Sequence, residues 1–363
     1  MNKQVWMLGT APTGQGGIAS VLREYAAAGW FDEGAVRLLV THHDRSRWGR
    51  VGPALSGLVR LVWALARGRV SLVHVHVSHG ASFWRKLLLC LPAFLLRVPV
   101  LAHLHGSDFE PFYAEGGAVR RACLRFMLRR SFRVLALSNQ WCEWVRSVEP
   151  QARMQLMFNS LQGLPPEAAA LEPAEHPTAL FLGRISERKG SFTLLHAFAQ
   201  VATRVPSARL VVGGDGEVER FKAECQRLGL SERVDVLGWI DGAQKQALLR
   251  DAWLLVLPSR REGLPMAILE ALAQGRPVIS CPVGGIPEAV AEGVTGRLVP
   301  PGNAAALAEA LEQLLSDRPL ARQMGVAALA HFQARFSHRA NLPQLLALYR
   351  EAGASRLPPL RYL

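Results

Sequence analysis

Short apolar runs with strand character alternate with longer stretches of helical period along nearly the whole chain. This alternation restricts the fold to parallel sheets covered by helices. In the first half the strand-like runs fall at 4–8, 36–40, 72–75, 100–103 and 134–136, with helix-like segments at 18–28, 55–66, 84–96, 119–130 and 140–147. A second series begins at 179–183 and continues at 209–212, 234–237, 254–257 and 278–280. Between them LQGLPPEAAALEPAEHPT (161–178) carries Pro165, Pro166, Pro173 and Pro177 and reads as an interdomain linker. The 363 residues therefore divide into an α/β domain over 1–165 and a second over 166–340. The helical tail (305–352) could pack on the second domain, its end, 341–363, crossing back to the first. Open parallel sheets bind ligands beyond the carboxyl ends of their strands, so a cleft between two such domains is the expected site.

Half of the residues are hydrophobic and a fifth are charged, enough to bury two cores with no sign of disorder. The five cysteines (Cys90, Cys123, Cys142, Cys225, Cys281) are scattered, with no C-x-x-C pair and no Cys/His ligand spacing. Neither a disulfide framework nor a zinc site is expected. The N-terminus MNKQVWMLGTAPTGQGG reads as a first strand and loop rather than a cleaved signal peptide. The longest uncharged apolar run, 87–96, is far short of the roughly 20 residues that span a bilayer. A cytoplasmic setting follows as the expectation.

The net charge of +13 is one-sided: 20 Lys/Arg against 9 Asp/Glu in residues 1–165, and 22 against 20 in residues 166–363. A basic first half implies an anionic partner, whether acidic lipid, a phosphate-bearing acceptor or nucleic acid. Nucleic acid ranks low, because no recognised binding motif or aromatic platform accompanies the arginines.

The densest chemical signal is SRREGLPMAILEALAQGRPVI, after the run at 254–257. Glu262 falls in a loop and Glu270 in a helix expected to start near Leu264. An all-helical interval of that length would cover about 12 Å, close to the span from a sugar across a pyrophosphate to a ribose. One carboxylate could then bind sugar hydroxyls and the other a ribose diol, with the helix N-terminus offering N–H groups between them. The plainer reading is a first-turn acid favoured by the helix dipole and a solvated helix residue. In FLGRISERKGSFTLLHAF, Arg184 and Lys189 flank a strand-to-helix loop and suit a diphosphate whose charge grows as it leaves, or are ordinary surface cations. VVGGDGE (211–217) puts Gly214 just after a strand, for close ligand approach or merely a tight turn.

In the first half, Gly16 and Gly17 precede a helix and could floor a phosphate or sugar. LAHLHGSDF brings His103, His105 and Asp108 to a strand end, where His103 alternates with apolar neighbours and reads as a core residue. His105 could offer its ring or its main chain to an oxocarbenium-like centre, or serve the loop, as could Asp108. Three segments mix apolar and cationic residues: LSGLVRLVWALARGR, FWRKLLLCLPAFLLR and AVRRACLRFMLRRSFR. In the last, Arg121, Arg125 and Arg129 share one helix face beside Arg120, as a membrane-surface contact or a solvated basic face.

In this order and spacing the motifs resemble the family-four retaining glycosyltransferases, whose GT-B fold places two Rossmann-like domains face to face across a cleft. The resemblance runs from Gly16-Gly17 through HGSD (105–108), SNQW (138–141), GRISERKG, GGDGE, EGLPMAILE and GGIPE (284–288) to GRLVPPGN. It implies that Arg184 and Lys189 hold the donor diphosphate and that Glu270 binds its ribose. Glu262, with the amides near Gly263 and Leu264, would hold the transferred sugar, His105 would sit beside the anomeric carbon, and Gly17 would lie under the phosphates. Trp239 falls where the base should sit, which leaves GDP-mannose and the UDP-hexoses open as donors. It further implies retention of anomeric configuration and no cofactor or metal, in keeping with the lack of a D-x-D motif. A departure is FNSLQG (158–163), where relatives often have Pro-Asn-Gly-Val-Asp; Asn159 is kept. With the basic half, the resemblance implies a lipid-diphosphate-linked saccharide acceptor in bacterial exopolysaccharide or lipopolysaccharide synthesis, at the inner face of the cytoplasmic membrane. The alternatives are a non-catalytic nucleotide-sugar-binding partner in a polysaccharide-assembly complex, or a sugar-nucleotide epimerase on the same fold.

Overall fold

The computed structural model describes residues 3–14, 16–41, 47–163 and 174–358, apart from the side chains of 47–51, 53 and 54. Most of the stretch read as a linker, 164–173, lies outside these residues, as does Gln15. The chain forms two compact units, Met1–Gln162 with Ser337–Leu363, and Gly163–Phe336. These divisions fall three and four residues from the 165 and 340 read from the sequence. Each unit is described separately.

The first unit is a six-stranded parallel sheet in the order β2-β1-β3-β4-β5-β6. Its strands are β1 (Gln4–Gly9), β2 (Val36–Val40), β3 (Val70–Val77), β4 (Val100–Leu104), β5 (Arg133–Ala136) and β6 (Met154–Leu156). The connecting helices are α1 (Gly17–Ala27), α2 (Arg47–Ala66), α3 (Ala81–Leu95), α4 (Phe109–Ala114), α5 (Ala118–Arg130) and α6 (Asn139–Val148). Central β3 is buried along all eight residues, as a strand covered on both faces must be. Its two alternating faces differ: Val73, Val75 and Val77 join the apolar core, while His74 and His76 point to the other side. The helix His338–Glu351 belongs to this unit and packs Tyr349 onto His74.

The second unit orders its strands β12-β11-β10-β7-β8-β9, again all parallel. They are β7 (Thr178–Leu182), β8 (Arg209–Gly213), β9 (Val234–Gly238), β10 (Leu254–Leu257), β11 (Val278–Ser280) and β12 (Gly296–Leu298). Counted from β7, this is the doubly wound dinucleotide-fold order, while the first unit's order matches the flavodoxin-like variant. Order reverses between β7 and β10 here, and between β1 and β3 in the first unit. Loops leaving the carboxyl ends of those strand pairs diverge and leave a crevice. The loops after β7 and β10 carry Arg184, Lys189 and Glu262; those after β1 and β3 carry Gly16 and His79.

Candidate active site

In the second unit the chain leaves β7 at Gly183, makes one 3-10 turn at Glu187–Lys189 capped by the Ser186 hydroxyl, and enters the helix Ser191–Arg204. That turn aims Lys189 at the β10 loop, where its Nζ donates to Glu262 Oε1 at 2.5 Å, the two side chains being 17% and 8% exposed. The loops are also fastened through backbone: Arg260 N–H donates to the Arg188 carbonyl at 2.8 Å, and the Arg188 guanidinium donates to the Arg261 carbonyl at 3.1 Å. Arg184 stands more exposed and donates to Asp215 at 3.1 Å. Asp215 sits in the GGDGE turn, where Gly214 is pressed so close to the Gly183 carbonyl that a β-carbon would collide with it. The glycines of that turn thus serve close backbone packing of the loops after β7 and β8.

The helix bearing Glu270 spans Met266–Ala273, starting two residues later than the sequence reading near Leu264. Pro265 disfavours helical backbone for the residue before it and takes the N-cap position itself. It supplies no side-chain acceptor, so the first-turn N–H groups remain available to an anion. The all-helical span between Glu262 and Glu270 is thereby replaced by a loop followed by one turn. Glu270 is held by Lys245, whose Nζ donates to it at 2.6 Å. Lys245 rides on the helix Gly242–Asp251, which opens with a reciprocal capping box between Asp241 and Gln244. Sequence reading passed over this lysine, although the cap signature before it was legible. Gly284, at φ +60, lets the GGIPE loop lie against Glu262; a β-carbon there would strike the Glu262 carbonyl oxygen. The Gly285 N–H donates to the Gly263 carbonyl at 2.6 Å, completing the brace. Trp239 follows β9 and is 58% exposed.

In the first unit Gly16 is the N-cap of α1 and Gly17 its first residue, with no side chain capping the helix. A β-carbon at Gly17 would meet no atom within 4 Å, so the chain's own packing does not require glycine there. His105 follows β4, with its N–H donated to the Val77 carbonyl at 2.8 Å and its Nε2 2.8 Å from His76 Nδ1. His103 lies buried behind it, ring centroids 4.1 Å apart. His74 Nε2 is 3.4 Å from His103 Nδ1, and His74 Nδ1 is 2.7 Å from the Tyr349 hydroxyl. Burial, first, and the neighbouring imidazoles, second, push His74, His76 and His105 well below the ordinary histidine range, and burial lowers His103 to about 3. These rings are neutral at pH 7. Nitrogens of His74, His76 and His103 lie within 4.8 Å of one another, a grouping with metal-ligand chemistry at which the scattered cysteines gave no hint. The signal was the i, i+2 spacing in HVHV, which places both imidazoles on one strand face. Asp108 accepts from Ser107 Oγ at 3.0 Å and lies 3.8 Å from His79 Nε2.

Most arginines of α5 are exposed, but several bond back to the protein. Arg120 and Arg121 donate to the carbonyls of residues 113–115, and Arg125 pairs with nearly buried Glu149 at 3.2 Å; Arg129 is exposed.

Sequence comparison bears on what such a pair of units does. The profile of the family "Glycosyl transferases group 1" matches residues 167–331, and that of the "Glycosyl transferase 4-like domain" matches residues 14–159. The chain belongs to the family-four glycosyltransferases of the GT-B fold. This glycosyltransferase is 28% identical over 337 residues to alpha-D-kanosaminyltransferase of Streptomyces kanamyceticus, covering 84% of this chain and 85% of that one. It is 29% identical over 312 residues to phosphatidyl-myo-inositol mannosyltransferase of Mycobacterium leprae, covering 84% and 79%. The solved structure of Anabaena HepE in complex with UDP-glucose shares the glycosyltransferase's fold, with TM-score 0.76 at 19% identity over 96% of this chain and 99% of that one.

Proposed function

We propose that this glycosyltransferase moves a hexose from a nucleotide sugar, GDP-mannose or a UDP-hexose, to a membrane-associated, lipid-diphosphate-linked saccharide, with retention of configuration and without metal. The observation that carries the donor assignment is the meeting of Lys189 and Glu262 across the β7 and β10 loops, with Arg184 on the first of those loops. The Lys189–Glu262 pair is a preformed half-site, in which the cation would face a diphosphate and the carboxylate hydroxyl groups. Arg184 and Lys189 bind the diphosphate and neutralise the charge it gains as its bond to the anomeric carbon breaks. Glu270 accepts from the ribose diol, and Glu262 with the amides of Gly263 and Leu264 orients the sugar. Gly214 and Trp239 border the nucleotide. The acceptor oxygen attacks on the face the diphosphate leaves, and its proton passes to a leaving phosphate oxygen.

The UDP-glucose named with the HepE structure supports a nucleotide-sugar donor, and the phosphatidyl-myo-inositol mannosyltransferase supports an acceptor on a lipid. A role in bacterial surface polysaccharide synthesis, at the inner face of the cytoplasmic membrane, accords with the basic first half. Among the described residues no helix is long and apolar enough to cross a membrane. The test is slow hydrolysis of a panel of GDP- and UDP-sugars in the presence of a chelator, beside Lys189→Ala. Release of one nucleotide by wild type alone is expected; equal release by the variant would overturn the donor site.

A further inference from the structure

Helices α2 and α3 pack directly against one another in the first unit, and each is apolar on two sides. Their inner stripes, including Leu61 and Leu65 on α2 and Phe83 and Cys90 on α3, are buried as a helix covering a sheet requires. Their outer stripes are apolar as well. On α2, Leu55, Val59, Val62 and Trp63 are 63%, 64%, 41% and 49% exposed. On α3, Trp84, Leu88, Leu91 and Leu95 recur at three- and four-residue steps and all stay exposed, Leu95 at 82%. Nine of the fourteen large exposed hydrophobics among the described residues lie on these helices or the α3 C-cap, Leu96. A concentration of this kind marks an interaction surface rather than scattered exposure.

Charge selects the occupant. Residues 45–107 contain nine Lys/Arg and no Asp or Glu. Arg60, Arg67, Arg69 and Arg97 are exposed, and the guanidinium carbons of Arg67 and Arg69 lie 3.9 and 5.1 Å from the Trp63 ring centroid. Aliphatic side chains, two indoles and guanidinium groups match, in order, the hydrocarbon, interfacial and phosphate layers of an anionic bilayer. A second copy of the chain would bring the same cations face to face, which Coulomb repulsion opposes. The α5 arginines assigned this role from sequence are largely committed to Tyr113, Ala114, Glu115 and Glu149.

We propose that the outer face of α2 and α3 docks this glycosyltransferase on an anionic lipid bilayer. It deepens the reading of a lipid-linked acceptor and rests on that reading for its purpose, though not for its test. Full-length protein is floated with phosphatidylcholine vesicles with and without phosphatidylglycerol, as wild type, as the exposed-face variant Trp63→Ser/Trp84→Ser/Leu88→Gln/Leu95→Gln, and as Arg121→Ala/Arg125→Ala. Wild type and the arginine variant should float with the phosphatidylglycerol vesicles. The face variant should lose at least about tenfold in partitioning while hydrolysing nucleotide sugar in solution as wild type does. Equal flotation of the face variant, or no flotation of wild type, overturns the docking face. So does a lipid-free dimer that the face variant splits, or flotation lost only in the arginine variant. Loss of hydrolysis in wild type with flotation intact would strike the catalytic reading alone.

Discussion

Lys189 and Glu262 pair opposite charges in an enclosed place, the two side chains being 17% and 8% exposed. Lys189→Ala leaves the carboxylate without its cation, so the urea midpoint should fall by the equivalent of roughly 1–3 kcal/mol. Donor hydrolysis should fall by about a hundredfold or more, since on the proposed function the same cation stabilises the leaving diphosphate. A variant that loses stability and keeps turnover would confine Lys189 to a structural role. Gly284→Ala tests the brace from the opposite side. Its methyl group would collide with the Glu262 carbonyl in left-handed backbone, so donor KM should rise severalfold although Gly284 carries no side chain to bind the donor. Arg184, Lys189, Glu262 and Glu270 were all legible in the sequence as charged groups flanking glycine-bearing loops. Their partners were not: Lys245 lies 25 positions from Glu270 and Lys189 lies 73 from Glu262, separations no local pattern encodes.

At the scale of elements, the capping box that starts Gly242–Asp251 fixes where Lys245 stands. Asp241→Ala removes the cap at a cost of about 1 kcal/mol. The expected outcome is weaker nucleotide binding, measured by titration calorimetry, with little change in the turnover of bound donor. The β3 and β4 strands hold a layer of imidazoles whose protonation opposes folding. Unfolded His103 binds a proton near its ordinary 6.5, whereas in the fold it does so only near 3. Between those values the unfolded chain carries more protons, so stability rises with pH across the window, is full above about 6.5 and is lost on acidification. The loss reaches at most about 1.4 kcal/mol per pH unit for each such histidine. Urea titrations from pH 7 to about 4 should show this slope, and His103→Gln should flatten it; an unchanged slope would dismiss the buried-histidine account.

For the whole molecule, the histidines with lowered pKa, His74, His76, His103, His105 and His338, all belong to the first unit. Acid should therefore lower the melting of that unit ahead of the second, separating two calorimetric transitions. A nucleoside diphosphate should raise the second unit's transition by mass action, since the cations proposed to bind the diphosphate lie there. A single transition that acid and nucleotide move together would show that the units unfold as one.

By itself the sequence determined the fold class, the central strands and the charged loops of the second half. Strand burial, helical period and glycine punctuation are local properties that a linear pattern carries in full. The edge strands β6 and β12 went unread because, unlike the fully buried β11 of equal length, each carries a polar residue at its centre, Gln155 or Arg297, and is only partly buried. Only the tertiary structure decided which charges meet. It brought Tyr349 to His74 across 275 positions, joined two imidazoles of β3 to those at the end of β4, and tied Arg120, Arg121 and Arg125 of α5 to nearby carbonyls and to Glu149. It alone also showed that α2 and α3 keep an apolar face after covering their sheet. A hydrophobic pattern says that a residue avoids water, but only packing says against what.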